Sequence, residues 1–342
     1  MPELRKDPVA GRWVVFSPER LRRPVHIQCK PQLQAAEQEN PFLSGNEAYT
    51  LPEIFAIRDP GSAPNKPGWR VRVVANLFPA LRIEGELEKE AFGFYDRMNG
   101  IGAHEVIIET PDPNMALDQQ PIAGIADVLR AFRSRMLDLA KDTRFRYILV
   151  FKNFGAAAGA TLPHPHSQLI AMPVVPIAVK EKLKAAMQYY RWKDRNLFGD
   201  ILNNERKSGD RMVYENAGFS AFCPFASRFP FELCIMPRKQ SPDFSSESDH
   251  NLVLLADVLK RVLQAYRRGL SAPDYNLIIH TAPLRYPRKD YWMSIDQDFW
   301  WHIEILPRMA GMAGFEFGTG FYINPVFPEE SARFLRGVKT DV

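Results

Sequence analysis

The sequence predicts an α+β fold of two fused halves, each with an antiparallel sheet and packed helices. Three observations predict it. The chain has 342 residues, too many for one ordinary core and enough for two domains or one large fused unit. It carries a diverged internal repeat: the helical pattern ADVLRAFRSRMLDLAKD opening at Ala126 returns as ADVLKRVLQAYRRGL at Ala256, and HEVIIETP at His104 returns as FELCIMPR at Phe231, both pairs at nearly one interval. Strands and helices also come in blocks rather than in strict alternation, which favours antiparallel neighbours over a doubly wound sheet. The division is expected between residues 1–175 and 176–342.

The elements follow in chain order. HEVIIETP is rich in β-branched residues and reads as a strand. The segment from Ala126 places apolar residues at i, i+3 and i+4 and reads as a helix. RYILVF from Arg146 is a second strand, and PHPHSQLIAMP gives His-x-His followed by an apolar strand-like run and Pro. A linker, VKEKLKAAMQYYRWKDRNLFGDILNNERKSGDR, starts as a charged amphipathic helix and reaches a loop at Ser208-Gly209-Asp210. The second copy then repeats the order: FELCIMPR, the helix from Ala256, YNLIIH from Tyr275, and WWHIEILP with His-x-Glu. The longer spacing before this last motif fits a loop insertion.

Composition narrows the class. Hydrophobic residues make up 46% and charged residues 25%, as in a soluble globular enzyme. The 44 basic and 40 acidic residues leave a net charge of +4. That is too small an excess to argue for nucleic acid, but it suits phosphorylated small molecules, which need only a few placed cations. Cys29, Cys223 and Cys234 are odd in number and form no C-x-x-C, so a reducing compartment, the cytoplasm, is expected. The start, MPELRKDPVAGRW, lacks a signal-peptide apolar run. No apolar stretch of about 18 residues suggests a membrane span.

The chemistry concentrates in NFGAAAGATLPHPHSQ, from Asn153 to Gln168. On a strand, residues i and i+2 share a face, so His164, His166 and Gln168 can address one ligand. Gly155, Gly159 and the intervening alanines let backbone approach a phosphate closely, and Asn153 and Thr161 add hydrogen-bonding groups. Phosphoryl transfer needs a positioned nucleophile and donors for the phosphate oxygens. A neutral imidazole near pH 7 is such a nucleophile. No Ser-His-Asp set and no GxxxxGK[ST] loop offers a competing route.

This segment resembles the active-site motif of the galactose-1-phosphate uridylyltransferases, the tandem branch of the histidine triad superfamily. ELRKDPVAGRWVVFSPERLRRP at the start and VRVVANLFPAL from Val71 to Leu81 are similar to the same family. GFEFGTGFYINPVFPEE from Gly314, and the Ser between His166 and Gln168, resemble more closely its ADP-glucose phosphorylase branch. The resemblance implies two fused histidine-triad-like halves and a nucleotidyltransferase acting by double displacement. In it His166 is the nucleophile and Gln168 binds α-phosphate oxygens. Asn153 and Thr161 bracket the phosphates beside Gly159, and Asn76 and Phe78 hold the nucleoside. Arg20 and Arg23 reach phosphates across a homodimer, and Glu316 meets sugar hydroxyls. The implied substrates are a nucleotide-sugar and a sugar phosphate, with neither nucleic acid nor membrane as partner.

The sequence also departs from the pattern. Where many members hold a structural zinc through cysteines, Asn40 and Leu43 stand here, and TPDPN from Thr110 lacks the distant His. That zinc site is expected to be lost, leaving His164 an orienting or phosphate-binding group; no cofactor is required for the chemistry. For a second family metal site, the resemblance leaves His280, His302 and Glu304, with Glu181 as a fourth ligand, for a single zinc or iron. The expected reaction moves a nucleoside monophosphate from a nucleoside-diphosphate hexose to hexose 1-phosphate. An ADP-sugar phosphorylase using inorganic phosphate, a nucleotide hydrolase and a non-catalytic nucleotide sensor are the alternatives. Leu77, beside Asn76 where a polar residue is common in the family, argues against uracil.

Overall fold

The computed structural model describes residues 2–22, 40–286 and 293–341; Arg23 and Cys29 lie outside them. The chain opens with a hairpin of β1 (Glu3–Lys6) and β2 (Trp13–Phe16). The first half continues with β3 (Glu53–Arg58), β4 (Trp69–Ala75), a small hairpin of β5 (Glu90–Phe92) and β6 (Tyr95–Arg97), then β7 (Ala103–Ile108). Helix α1 (Ile122–Leu139), β8 (Tyr147–Phe154) and β9 (His166–Met172) complete it. Two helices, α2 (Ile177–Lys193) and α3 (Leu197–Ser208), make the linker, and α3 ends at Gly209 in the left-handed conformation, as the Ser-Gly-Asp loop predicts.

The second half has β10 (Met212–Glu215), β11 (Phe219–Phe222), β12 (Leu233–Pro237), α4 (Asp249–Gly269), β13 (Tyr275–His280), the short α5 (Ile295–Asp298) and β14 (His302–Pro307). A tail of α6 (Gly314–Thr319), β15 (Tyr322–Asn324) and α7 (Pro328–Gly337) follows.

Ten strands form one sheet in the order β10-β11-β12-β14-β13-β8-β9-β7-β4-β3. Read inward from either edge, the two halves have the same order: β3, β4, β7, β9, β8 against β10, β11, β12, β14, β13. The repeat seen in the sequence is therefore a repeat of topology. The halves join by antiparallel pairing of β8 with β13, with Asn153 opposite Asn276. By this correspondence His302 sits where His166 sits, and Glu304 where Gln168 sits.

Helices α1 and α4 pack side by side on one face. Leu129 and Phe132 of α1 and Leu255, Leu259 and Val262 of α4 are buried against Val150, Leu169, Ile279 and Ile303 of the sheet. Burial of such a side chain contributes about 1.5–3 kcal/mol. Helix α4 begins at Ser248, whose side chain accepts the Asn251 N–H, and ends with Arg267 and Arg268 near its carbonyl end, both favourable to the helix dipole. On the opposite face of the second half, Val179 and Leu183 of α2 and Phe198 and Leu202 of α3 cover Phe222 and Met236. The opening hairpin does not stay with the first half: β2 pairs in parallel with β15 in a three-stranded sheet. Among the described residues no helix is long and apolar enough to cross a membrane.

Candidate active site

His166 is the first residue of β9, buried at the edge of a cleft of about 520 Å³. Its Nδ1 lies 2.7 Å from the backbone oxygen of His164. A carbonyl only accepts, so Nδ1 carries the proton and Nε2 is left with its lone pair. Burial lowers the pKa of His166 below the usual histidine value, and the nearby Lys152 ammonium pushes the same way. The result is a neutral imidazole with one free basic nitrogen.

His164 is committed elsewhere. Its Nε2 donates to the Thr110 carbonyl at 2.8 Å, and its Nδ1 accepts from Asn40 Nδ2 at 3.1 Å. Both ring nitrogens are thus satisfied within the protein, by the residue where the family pattern has a cysteine and by the segment without the distant His. No lone pair remains for an ion or N–H for a phosphate, so the expectation of a phosphate-binding His164 side chain is corrected; its carbonyl serves His166 instead. Phe42 packs against both imidazoles.

Two amides face the same region, each with its oxygen already engaged. His104 Nδ1 accepts the Ala80 N–H at 3.1 Å, so His104 Nε2 bears the proton and donates to Gln168 Oε1 at 2.8 Å. The amide NH2 of Gln168 is thereby left as a donor. Asn276 Nδ2 donates to the Ala158 carbonyl and to Asn153 Oδ1, both at 2.8 Å, so Asn153 likewise keeps its NH2 free. His104 and Asn276 escape the motif reading. The signal for Asn276 is a lone amide inside the apolar run YNLIIH, because a polar group in a strand core needs a partner.

The loop between β8 and β9 depends on two glycines. Gly155 and Gly159 have φ of +84° and +89°, values that side-chain-bearing residues rarely adopt. A Cβ on Gly155 would also lie 1.9 Å from Asp274 Oδ1, while Asp274 Oδ2 accepts the Ala157 N–H at 2.6 Å. Beneath His166, Lys152 Nζ donates to Glu109 at 2.8 Å and to the His166 carbonyl at 3.0 Å, and Ser167 Oγ donates to Glu109 at 2.6 Å. This buried pair, also absent from the motif reading, fixes the backbone of His166.

The cleft brings together Asn153, Thr161, His164 and His166, and Asn40, Leu43, Pro113 and Asn114 also line it. Asn76 lies beside His104, its Oδ1 accepting the Phe78 N–H; its Nδ2 is 3.2 Å from His104 Nε2, itself a donor in this tautomer, so the two are neighbours and not a bonded pair. Phe78 is 85% exposed and Leu77 58%, so neither is core. Gly159 is exposed beside Asn153. Arg20 is half-buried in a turn at Pro18–Arg22 and Glu316 caps α6 by accepting the Ala313 N–H; neither lines the cleft. Arg23 lies outside the described residues.

In the second half His280, His302 and Glu304 converge, their ligand atoms all within 4.8 Å of one another. The fourth member differs from expectation. Glu181 is exposed, and the next residue, Lys182, is buried instead. Its Nζ donates to His302 Nε2 at 2.8 Å and to Glu304 Oε1 at 2.5 Å. A helix turns about 100° per residue, so only one of two neighbours can face the sheet. The ammonium stands where a divalent ion would need to sit, and the set as built does not fit one.

Comparison with known proteins adds the following. A family model described as galactose-1-phosphate uridyl transferase, N-terminal domain, matches residues 1–176, and a domain of unknown function matches 126–336. The chain is 38% identical over 341 residues to an ADP-glucose phosphorylase from Arabidopsis thaliana, covering 98% of this chain and 93% of that one. It is 29% identical over 350 residues to a galactose-1-phosphate uridylyltransferase from Thermotoga maritima, covering both chains fully. The solved ADP-glucose phosphorylase from Arabidopsis thaliana with bound ADP-glucose superposes with a TM-score of 0.84 at 37% identity, covering 99% and 100% of the two chains. A solved uridylyltransferase gives 0.74 at 27%, covering 98% and 97%.

Proposed function

The chain belongs to the galactose-1-phosphate uridylyltransferase family and is an enzyme of the nucleotidyltransferase type, and from that premise we propose that it transfers a nucleoside monophosphate from a nucleoside-diphosphate hexose by way of His166. His166 Nε2 attacks the α-phosphorus; the P–N bond forms as the P–O bond to the sugar 1-phosphate breaks, and that product leaves. An oxygen of the acceptor then attacks the same phosphorus, the P–N bond breaks, and His166 Nε2 regains its lone pair. The observation that carries this reading is the His166 Nδ1–H to His164 carbonyl bond, which points a neutral, basic Nε2 outward. The free NH2 groups of Gln168 and Asn153 supply neutral donors for phosphate oxygens, with Thr161 and the backbone at Gly159 beside them. Asn76 and exposed Phe78 suit the nucleoside, Phe78 offering an aromatic face. The first half carries the nucleophile, and the second contributes Asn276, which orients the Asn153 donor. No step is routed through the His280–His302–Glu304 group.

The acceptor has two readings. Hexose 1-phosphate is the family's expectation. Inorganic phosphate, acting on an ADP-sugar, is favoured by the 38% identity to the plant phosphorylase against 29% to the uridylyltransferase. Glu316 is assigned to the sugar hydroxyls. A homodimer, with the N-terminal segment bearing Arg20 and Arg23 reaching the neighbouring site, is supported by the exposed Phe92, Phe94 and Tyr95 of the β5–β6 hairpin. Buried free Cys223 and Cys234 suit the cytoplasm.

The test is chemical. Wild type incubated with an α-labelled donor and no acceptor accumulates acid-labile, base-stable label on the protein, and His166→Gly does not. Label absent under rapid quench, or His166→Gly retaining over about a tenth of turnover (about 1.4 kcal/mol of barrier), overturns the assignment. A panel of UDP- and ADP-sugars with each acceptor separates the two readings. Sedimentation at micromolar concentration tests the dimer.

A further inference from the structure

The second-half group has the donor set of a metal centre and the charge set of something else. His280 and His302 face each other across β13 and β14 with rings 4.9 Å apart, and Glu304 follows His302 on the same strand face. His302 Nδ1 donates to the Trp300 carbonyl at 3.0 Å, leaving Nε2 to accept. Such an outer hydrogen bond is what orients a ligating histidine. His280 Nδ1 is buried without a hydrogen-bond partner, and its Nε2 only approaches Glu304 Oε2, at 3.4 Å. That is costly for an imidazole, and it is the condition of a ligand with no ion.

The electrostatics run the other way. Glu304 is held by Lys182 at 2.5 Å and by Arg228 at 2.6 Å, and Arg228 also meets Glu232 at 2.8 Å. The four charges cancel. Asp7 and Arg12, which line the same cavity of about 90 Å³, add one charge of each sign. A divalent ion placed here would leave two positive charges uncompensated where a charge is expensive to bury. Lys182 Nζ would also lie within bonding distance of two of its ligands.

We propose that Lys182 is the resident cation of this centre, its ammonium holding the place and the charge of a metal ion, and that Lys182→Glu converts the group into a divalent zinc site. The substitution changes the charge at position 182 from plus one to minus one and so takes the group from zero to minus two, the two units that a divalent ion returns. It also supplies a fourth ligand beside His280, His302 and Glu304, which suits tetrahedral zinc.

The experiment uses the full chain with any affinity tag removed, equilibrated with zinc, dialysed and analysed for metal. Wild type is expected to hold less than about a tenth of a zinc or iron per chain, and Lys182→Glu about one zinc. Zinc should raise the Tm of Lys182→Glu and leave wild type unmoved. Adding His280→Ala to Lys182→Glu should abolish both effects, since it removes one of the four ligands. Lys182→Ala, which opens the position without adding a ligand, should bind zinc at least tenfold more tightly than wild type and serves if Lys182→Glu fails to fold. Stoichiometric zinc or iron in wild type overturns the proposal. So does a folded Lys182→Glu, or a folded Lys182→Ala, that binds zinc no better than wild type.

Discussion

Asn276 Nδ2, in the second half, donates at 2.8 Å to Oδ1 of Asn153, in the first. The same NH2 reaches the Ala158 carbonyl, so the amide of Asn276 has one orientation, and through it so does Asn153. The two halves therefore meet in a bond that aims the Asn153 NH2, the group proposed to donate to a phosphate oxygen.

From this, Asn276→Ala should lower kcat about twofold to twelvefold, the worth of a neutral hydrogen bond of about 0.5–1.5 kcal/mol. Asn276→Asp should lower it further, because a carboxylate there faces two acceptor oxygens with no proton to give. In an Asn153→Ala background Asn276→Ala should add little. Equal losses in the two backgrounds would show that Asn276 does not act through Asn153.

His104 makes the matching claim for Gln168. His104→Phe removes the donor that fixes Gln168 Oε1 and should cost about tenfold in kcat, while His104→Gln, which retains an N–H, recovers part of it. Steady-state kinetics beside thermal melting separate aim from stability. A drop that tracks Tm alone sinks the positioning role.

The pH dependence has a definite sign. Protonation of Nε2 removes the nucleophile's lone pair, so activity is lost as pH falls through the pKa of His166 in the folded enzyme. Burial, with Lys152 reinforcing it, lowers that pKa. The acid limb of kcat/KM, which reports the free enzyme, should therefore lie below the ordinary histidine value of about 6.5. A limb at or above that value contradicts a buried neutral His166.

Gly155→Ala should displace the phosphate loop. The φ of +84° with ψ of 162° and the Cβ at 1.9 Å from Asp274 Oδ1 both act against it, the first alone costing about 1–3 kcal/mol. Asp274→Ala in the same chain relieves the clash but not the backbone strain, and it removes the Ala157 anchor as well. Activity should fall by at least tenfold in Gly155→Ala and be restored only in part by the double substitution. Full activity in Gly155→Ala would mean that the loop geometry is not needed.

The repeat was legible because periods of 2 and 3.6 survive divergence, and the His-x-His and His-x-Glu strands lie in corresponding places. Helix α4 starts a full two turns before the pattern at Ala256, because Ser248 caps it and Leu252 and Leu255 already face the core. Lysine is not a usual metal-ligand type, so the neighbouring carboxylate of Glu181 reads as the ligand in place of Lys182. Its signal lies in Val179, Lys182, Leu183 and Ala186, the buried stripe of α2, in which a lysine is out of place. His104 lies in a strand that reads as ordinary, since nothing local states that its ring meets Gln168. The parallel pairing of β2 with β15 joins the two ends of the chain, and no local pattern announces it.

That last pairing sets an order of events. Val14 of β2 finds its register with Tyr322 of β15, yet leaves the ribosome long before it. At about 5–20 residues per second, the opening hairpin waits roughly 15–60 s for its partner to be made. During synthesis the three-stranded sheet therefore closes only near the end, with α7 still to follow, long after β9 and the rest of the first half are complete.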